Sequence, residues 1–121
     1  MDKNLVEQLE TIVGAKYVIT DTAEMAPYGI DRTTIWQSSP SLVVRPDSVE
    51  QVQKIVLLAN ENNIHLVPSG GRTGYSGGAV AKNGEVVVTL ERMNRILHFS
   101  PADQSVSCEA GVITQHLQKF A

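Results

Sequence analysis

The sequence holds one cysteine, Cys108, so no internal disulfide can form and no cysteine-based metal site can be built. A reducing, cytoplasmic compartment is the simplest reading of that scarcity. Basic clusters are absent as well. The ten Lys and Arg residues are scattered among thirteen Asp and Glu, for a net charge of −3. That leaves no electrostatic footprint for nucleic acid or an anionic membrane surface. No apolar run approaches the roughly 18 residues that a membrane span requires. The opening MDKNLVEQLETIVGA is acidic and amphipathic, unlike the basic start and continuous apolar stretch of a signal peptide. His98 and His116 have no ligand spacing between them, so no metal centre is expected.

What is present reads as one globular domain. Hydrophobic residues make up 42% and charged residues 19% of the chain, a balance that supports a core. Leu5, Leu9, Ile12 and Val13 share a helical face, with Asp2 as a start cap and Gly14 as a stop, which predicts a helix over 3–13. KYVIT (16–20) is a short strand candidate, and 21–40 read as connecting chain without a clean period. SLVV (41–44) is a buried-strand run stopped by Pro46. Ser48 with Gln51 has the form of a capping box. Val49, Val52, Ile55, Val56 and Ala59 then line one face of a helix that runs to about Asn62. IHLVP (64–68) reads as the next strand, parallel to the first because a helix connects them. EVVVTL (85–90), ILHF (96–99) and SVSCEA (105–110) follow as strands. A helical pattern opens at Val112. Cys108 reads as a small buried hydrophobe, His65 as a structural residue of its strand, and Arg92 and Arg95 as decoration of a turn.

The segment PSGGRTGYSGGA (68–79) places five glycines in twelve residues. Gly spacing does not fit a dinucleotide fingerprint, and no Gly-Lys-Ser/Thr closes a Walker loop. Gly74-Tyr75-Ser76-Gly77-Gly78 matches G-x-S-x-G, but that motif needs a sharp strand-to-helix turn, and AVAKNG is a poor helix start. His98, Asp103 and His116 are the candidate partners of such a Ser76. A phosphate cradle is the other chemical reading. Consecutive backbone N–H groups converge on an anion, and glycines allow both positive φ and close approach. Thr73, Ser76 and Arg72 add donors. A plain flexible loop is the bland alternative. On the residues alone, a serine hydrolase using Ser76 and a non-enzymatic phosphate-binding or interaction module both stay open.

The order of features resembles a known family. PSLVVRPDSVEQVQKIVLLANENNIHLVPSGGRTGYSGGA, VVTLERMNRI and VSCEAGV together look like the first part of the PCMH-type FAD-binding domain of the vanillyl-alcohol oxidase superfamily. The branch with D-lactate dehydrogenases, D-2-hydroxyglutarate dehydrogenases and the glycolate oxidase flavoprotein is the most similar. The resemblance implies an α+β fold, with a small mixed sheet that contains a parallel β-α-β unit and helices packed on it. It implies 25–121 as the first part of the FAD-binding domain, truncated at its C-terminal end, and leaves 1–24 as an N-terminal helix and lead-in.

It implies FAD as cofactor, with Gly70, Gly71, Arg72, Thr73 and Gly74 at the pyrophosphate and Ser76, Gly78 and Ala79 adjoining. Pro46 would lie near the adenine side and Gly111 close to the cofactor. Some superfamily members attach flavin through a His near the position of Arg72; no His lies in this loop, so non-covalent FAD is implied. The implied reaction is oxidation of a small 2-hydroxy acid. The resemblance places the catalytic residues mostly beyond Ala121. Separately, the last helical pattern lacks a closing Gly, Asn or Pro, so the chain reads as a fragment. Its bare face at 105–121 is then expected to drive self-association.

Overall fold

The computed structural model describes residues 2–33, 37–73 and 77–120. Helix α1 (Lys3–Val13) starts where the Asp2 carboxylate accepts the Asn4 N–H at 3.0 Å. It stops where Gly14 turns out at φ 97°. A 3₁₀ turn (Ala15–Tyr17) leads into β1 (Val18–Ile19). The stretch read as connecting chain carries local structure: a short helix, α2 (Thr22–Met25), capped by Asp21, and a 3₁₀ turn at Ala26–Gly29. Its single turns are too short to show a period, and Met25 anchors them in the core.

Strand β2 (Leu42–Val44) is followed by α3 (Val49–Asn62). Ser48 Oγ accepts the Gln51 N–H at 3.2 Å, and Gln51 Oε1 accepts the Asp47 N–H at 2.8 Å, so the capping pair closes reciprocally. Asn63 ends the helix in the left-handed region at φ 53°. The buried face is Ile55, Leu58 and Ala59, whereas Val49 and Val56 are exposed. The expected stripe was therefore rotated by about one position. Val49 stands in the uncovered first turn, and Val56 lies a 100° step from Ile55.

Strands β3 (Leu66–Ser69) and β4 (Val86–Thr89) complete a four-stranded sheet of order β1-β2-β4-β3. β1 is antiparallel to β2, while β2 and β3 both run parallel to β4. The expected parallel pair exists, but β4 lies between its members. All four residues of β4 are buried, as suits a central strand covered on both faces. Alternate residues divide the core. Leu42, Val44, Val86 and Val88 meet Leu9, Val13, Ile55 and Leu58 of the helices on one face. Val43, Val67 and Val87 meet Met25 and Ala81 on the other.

The remaining strands, β5 (Ile96–Ser100) and β6 (Ser105–Cys108), form a separate antiparallel hairpin. Helix α4 (Thr114–Phe120) closes the described chain. Cys108, expected to be buried, is exposed on this hairpin, which lies outside the four-stranded sheet. His65 is likewise exposed, just ahead of β3. No helix among the described residues is long and apolar enough to cross a membrane.

Candidate functional site

Parallel strands deliver their following loops to the same sheet edge, so the carboxyl ends of β2, β3 and β4 bring three loops together. From β2 come Arg45, Pro46 and Asp47. From β3 comes the glycine loop. From β4 comes the turn Leu90–Asn94, tied back by Leu90 N–H to Ser69 O at 2.9 Å and Met93 N–H to Leu90 O at 2.9 Å. The return from the hairpin closes the group: Gly111 N–H donates to Met93 O at 2.8 Å. The resulting cleft has a volume of about 430 Å³, with Gly70, Gly71, Arg72, Glu91, Gly111 and Ile113 among its walls.

Four of the expected residues, Gly70, Gly71, Arg72 and Gly111, thus meet in one cleft. Thr73 and Gly78 are exposed beside it, and Ala79 is half-buried. Pro46 is fully buried and is not in the cleft wall. Gly74, Tyr75 and Ser76 lie outside the described residues.

The glycines act differently from their sequence-based reading. In the described part of the loop, the left-handed positions are Arg72 at φ 60° and Gly77 at φ 81°. Gly70, Gly71 and Gly78 have no positive φ; an added Cβ would meet nothing within 4 Å at Gly78 and only Ala110 O, at 4.0 Å, at Gly70. Gly71 leaves room beside Ile113: an added Cβ would come to 3.2 Å from Ile113 Cδ1. Gly111 is required by backbone contact, since an added Cβ would overlap the Leu90 carbonyl.

Arg72 stacks over the Tyr28 ring at 4.7 Å from its centroid. Its Nη1 is buried and has no hydrogen-bond partner among the described residues. A buried guanidinium N–H without an acceptor is costly, and an anionic ligand in the adjoining cleft would satisfy it. Ser69 Oγ, at the end of β3, is also buried without a partner among the described residues.

Glu91 brings a negative charge to the same cleft, but that charge is held. Its Oε1 accepts from Arg45 Nε at 2.7 Å and from the Tyr28 hydroxyl at 3.0 Å. Burial, and then the neighbouring Glu91 carboxylate, raises the Tyr28 phenol above its ordinary pKa, so it stays a donor. Arg92 is more than turn decoration. It donates to Arg45 O at 2.7 Å and Asp47 Oδ2 at 3.2 Å, and stacks 3.4 Å from the Tyr17 centroid. Arg95 pairs with Glu109 through two bonds of 2.7 and 3.0 Å. Sequence reasoning missed Glu91 because its partners, Arg45 and Tyr28, are distant in the chain. No cluster that could hold a metal ion occurs among the described residues.

Residues 77–85 are turns and extended chain, so the strand-to-helix elbow that Ser76 would need is not formed there.

Comparison with known proteins gives a consistent picture. The family described as FAD binding domain matches residues 40–121. A D-2-hydroxyglutarate dehydrogenase of Stutzerimonas stutzeri is 48% identical over 99% of this chain and 26% of its own length. A D-lactate dehydrogenase of Anaerostipes hadrus is 33% identical over 97% of the chain and 25% of its own length. The chain therefore spans about a quarter of the length of these curated relatives. Among solved structures, 4-ethylphenol oxidase from Gulosibacter chungangensis superposes with TM-score 0.82 at 33% identity, over 97% of this chain and 23% of that one. An alkyldihydroxyacetonephosphate synthase shares the fold, with TM-score 0.86 at 21% identity over 99% of this chain and 26% of that one.

Proposed function

The chain belongs to the FAD-binding domain family, and from that premise we propose that its glycine loop cradles the pyrophosphate of a non-covalently held FAD. One observation carries this reading. Gly70, Gly71, Gly111 and Arg72, whose Nη1 is buried without a partner among the described residues, meet in one cleft at the carboxyl ends of parallel strands. Two glycines without side chains let an anion approach the backbone N–H groups, and Arg72 adds charge. Thr73, Gly74, Ser76, Gly78 and Ala79 belong to the same loop and continue the cradle. Gly111 brings the return chain against the Leu90–Met93 turn and so fixes the opposite wall. Arg45 and Tyr28 hold the Glu91 carboxylate, which limits its repulsion of phosphate.

In the whole protein we place this cradle in an oxidoreductase acting on a small 2-hydroxy acid of D configuration. The support is the identity to D-2-hydroxyglutarate and D-lactate dehydrogenases over nearly the full chain. When bound, flavin supplies hydride acceptance from the C–H of such an acid. The residues described here bind and orient the cofactor; none of them is placed at a reacting atom. The test is anaerobic addition of D-2-hydroxyglutarate, D-lactate and their L forms to the intact protein. Bleaching of flavin absorbance by a D acid alone is expected, and absence of bleaching by all four would refute the substrate class.

The loop contains no His, so denaturant should release the flavin quantitatively as free FAD. Flavin that stays with the precipitated polypeptide would refute non-covalent binding. A cytoplasmic location fits the lone, exposed Cys108, and cell fractionation checks it. Leu97, Phe99, Ile113 and Phe120 are exposed on the hairpin and α4, an apolar face suited to self-association. Sedimentation of the 121-residue chain should show a mass that grows with concentration, whereas a constant monomer mass would exclude that role.

A further inference from the structure

The far end of the glycine loop is tied to the segment ahead of β2 by one carboxylate. Asp31 Oδ2 accepts the Gly77 N–H at 2.9 Å across 46 residues of sequence. Asp31 Oδ1 accepts both the N–H and the hydroxyl of Thr33, each at 2.7 Å. The residue is 9% exposed. Backbone pairs extend the tie: Ala81 N–H donates to Gly29 O at 3.0 Å, Ser39 N–H to Ala81 O at 2.6 Å, and Gly84 N–H to Ser39 O at 2.7 Å. Residues 29–33 and 37–39 thus form a wall behind 77–84.

Gly77 sits in the left-handed region, and its N–H is committed to Asp31. It is therefore the fixed end of the loop. The other end is fixed by β3, where Ser69 accepts the Leu90 N–H. A glycine-rich segment held at both ends has fewer conformations to lose when a ligand arrives.

We propose that Asp31 is a positioning residue for cofactor capture: it pins Gly77, the far end of the glycine loop, and so keeps Gly70, Gly71 and Arg72 ready as an anion site. The inference rests on the cradle reading of that loop. Asp31 does not contact the cofactor. Both of its oxygens are engaged by Thr33 and Gly77, and a carboxylate at the phosphates would repel them.

The test uses the intact protein stripped of flavin, as wild type, Asp31→Ala and Asp31→Asn, with Glu7→Ala on the exposed face of α1 as a control. Trypsin cleavage at the Arg72–Thr73 bond, read by mass spectrometry, reports how well the loop is held without FAD. Fluorescence titration gives the FAD Kd, and thermal unfolding of the stripped protein reports the fold. For Asp31→Ala, cleavage at Arg72 should accelerate several-fold over cleavage elsewhere, and the Kd should rise about tenfold or more. Its Tm should stay near that of Glu7→Ala. Asp31→Asn should fall between, because its amide keeps one acceptor. A wild-type Kd in Asp31→Ala would overturn the proposal. So would a raised Kd accompanied by general proteolysis and a matching loss of Tm, which marks a merely structural residue. Failure of the wild-type protein to bind FAD would refute the cradle reading itself, while the Arg72 cleavage rate would still show whether Asp31 holds the loop.

Discussion

Gly111→Ala is expected to leave little folded protein. A Cβ at this position would lie on top of the Leu90 carbonyl oxygen and within 2.8 Å of Met93 O, all backbone atoms. Backbone cannot rotate away as a side chain can. Gly111 N–H also donates to Met93 O at 2.8 Å, and Leu90 N–H to Ser69 O at 2.9 Å. Any relief must therefore break the tie between the hairpin return and the β4 turn, or pull that turn off β3. The cost should be about 3 kcal/mol or more, a large share of the roughly 5–15 kcal/mol that holds a domain together. Gly78→Ala is the matched control. Nothing lies within 4 Å of its Cβ position, so its stability should change by less than about 0.5 kcal/mol. Soluble yield and Tm of the two variants decide the matter. A Gly111→Ala protein with the Tm of Gly78→Ala would show that the close approach is not a constraint.

Gly71→Val should give the opposite separation, with the fold kept and the cofactor lost. The nearest atom to its added Cβ is Ile113 Cδ1 at 3.2 Å, the tip of a side chain that is 42% exposed and able to shift. The φ is not in the left-handed region, so a β-branched residue adds no strain of that kind. Its methyl groups, however, would occupy the cleft between Gly70, Gly111 and Arg72. Losing two phosphate contacts, each about 1.5–3 kcal/mol, predicts FAD binding weaker by about 100-fold or more. Flavin absorbance per mole of purified protein, alongside Tm of the flavin-free form, reads both effects. Wild-type flavin content in Gly71→Val would sink the cradle.

The contrast between these glycines shows how far the sequence could be read. Both were picked out as cofactor contacts from the resemblance, and both do line the cleft. Only coordinates show that Gly111 is needed for a backbone contact with Leu90, a residue in another loop. The same limit applies to Arg92. Its neighbours in sequence suggest a turn, while its partners, Asp47, Arg45 O and Tyr17, come from elsewhere in the chain.

Local chemistry was sufficient where the deciding interactions are local. Asp2 and Gly14 bound α1, Ser48 and Gln51 start α3, and the β-branched run Val86–Val88 makes a strand, because a cap or a propensity acts within a few residues. The glycine density of 68–79 likewise marked the loop whose Gly70, Gly71 and Arg72 line the cleft. Tertiary structure alone decided the placement of β4 between β2 and β3, the exposure of Val56 and Cys108, and the grip of Asp31 on Gly77. Those outcomes depend on which surfaces meet across the sheet and on hydrogen bonds between residues far apart in the chain. No period or spacing along the sequence encodes such pairings, since they are selected by the burial of both sheet faces together.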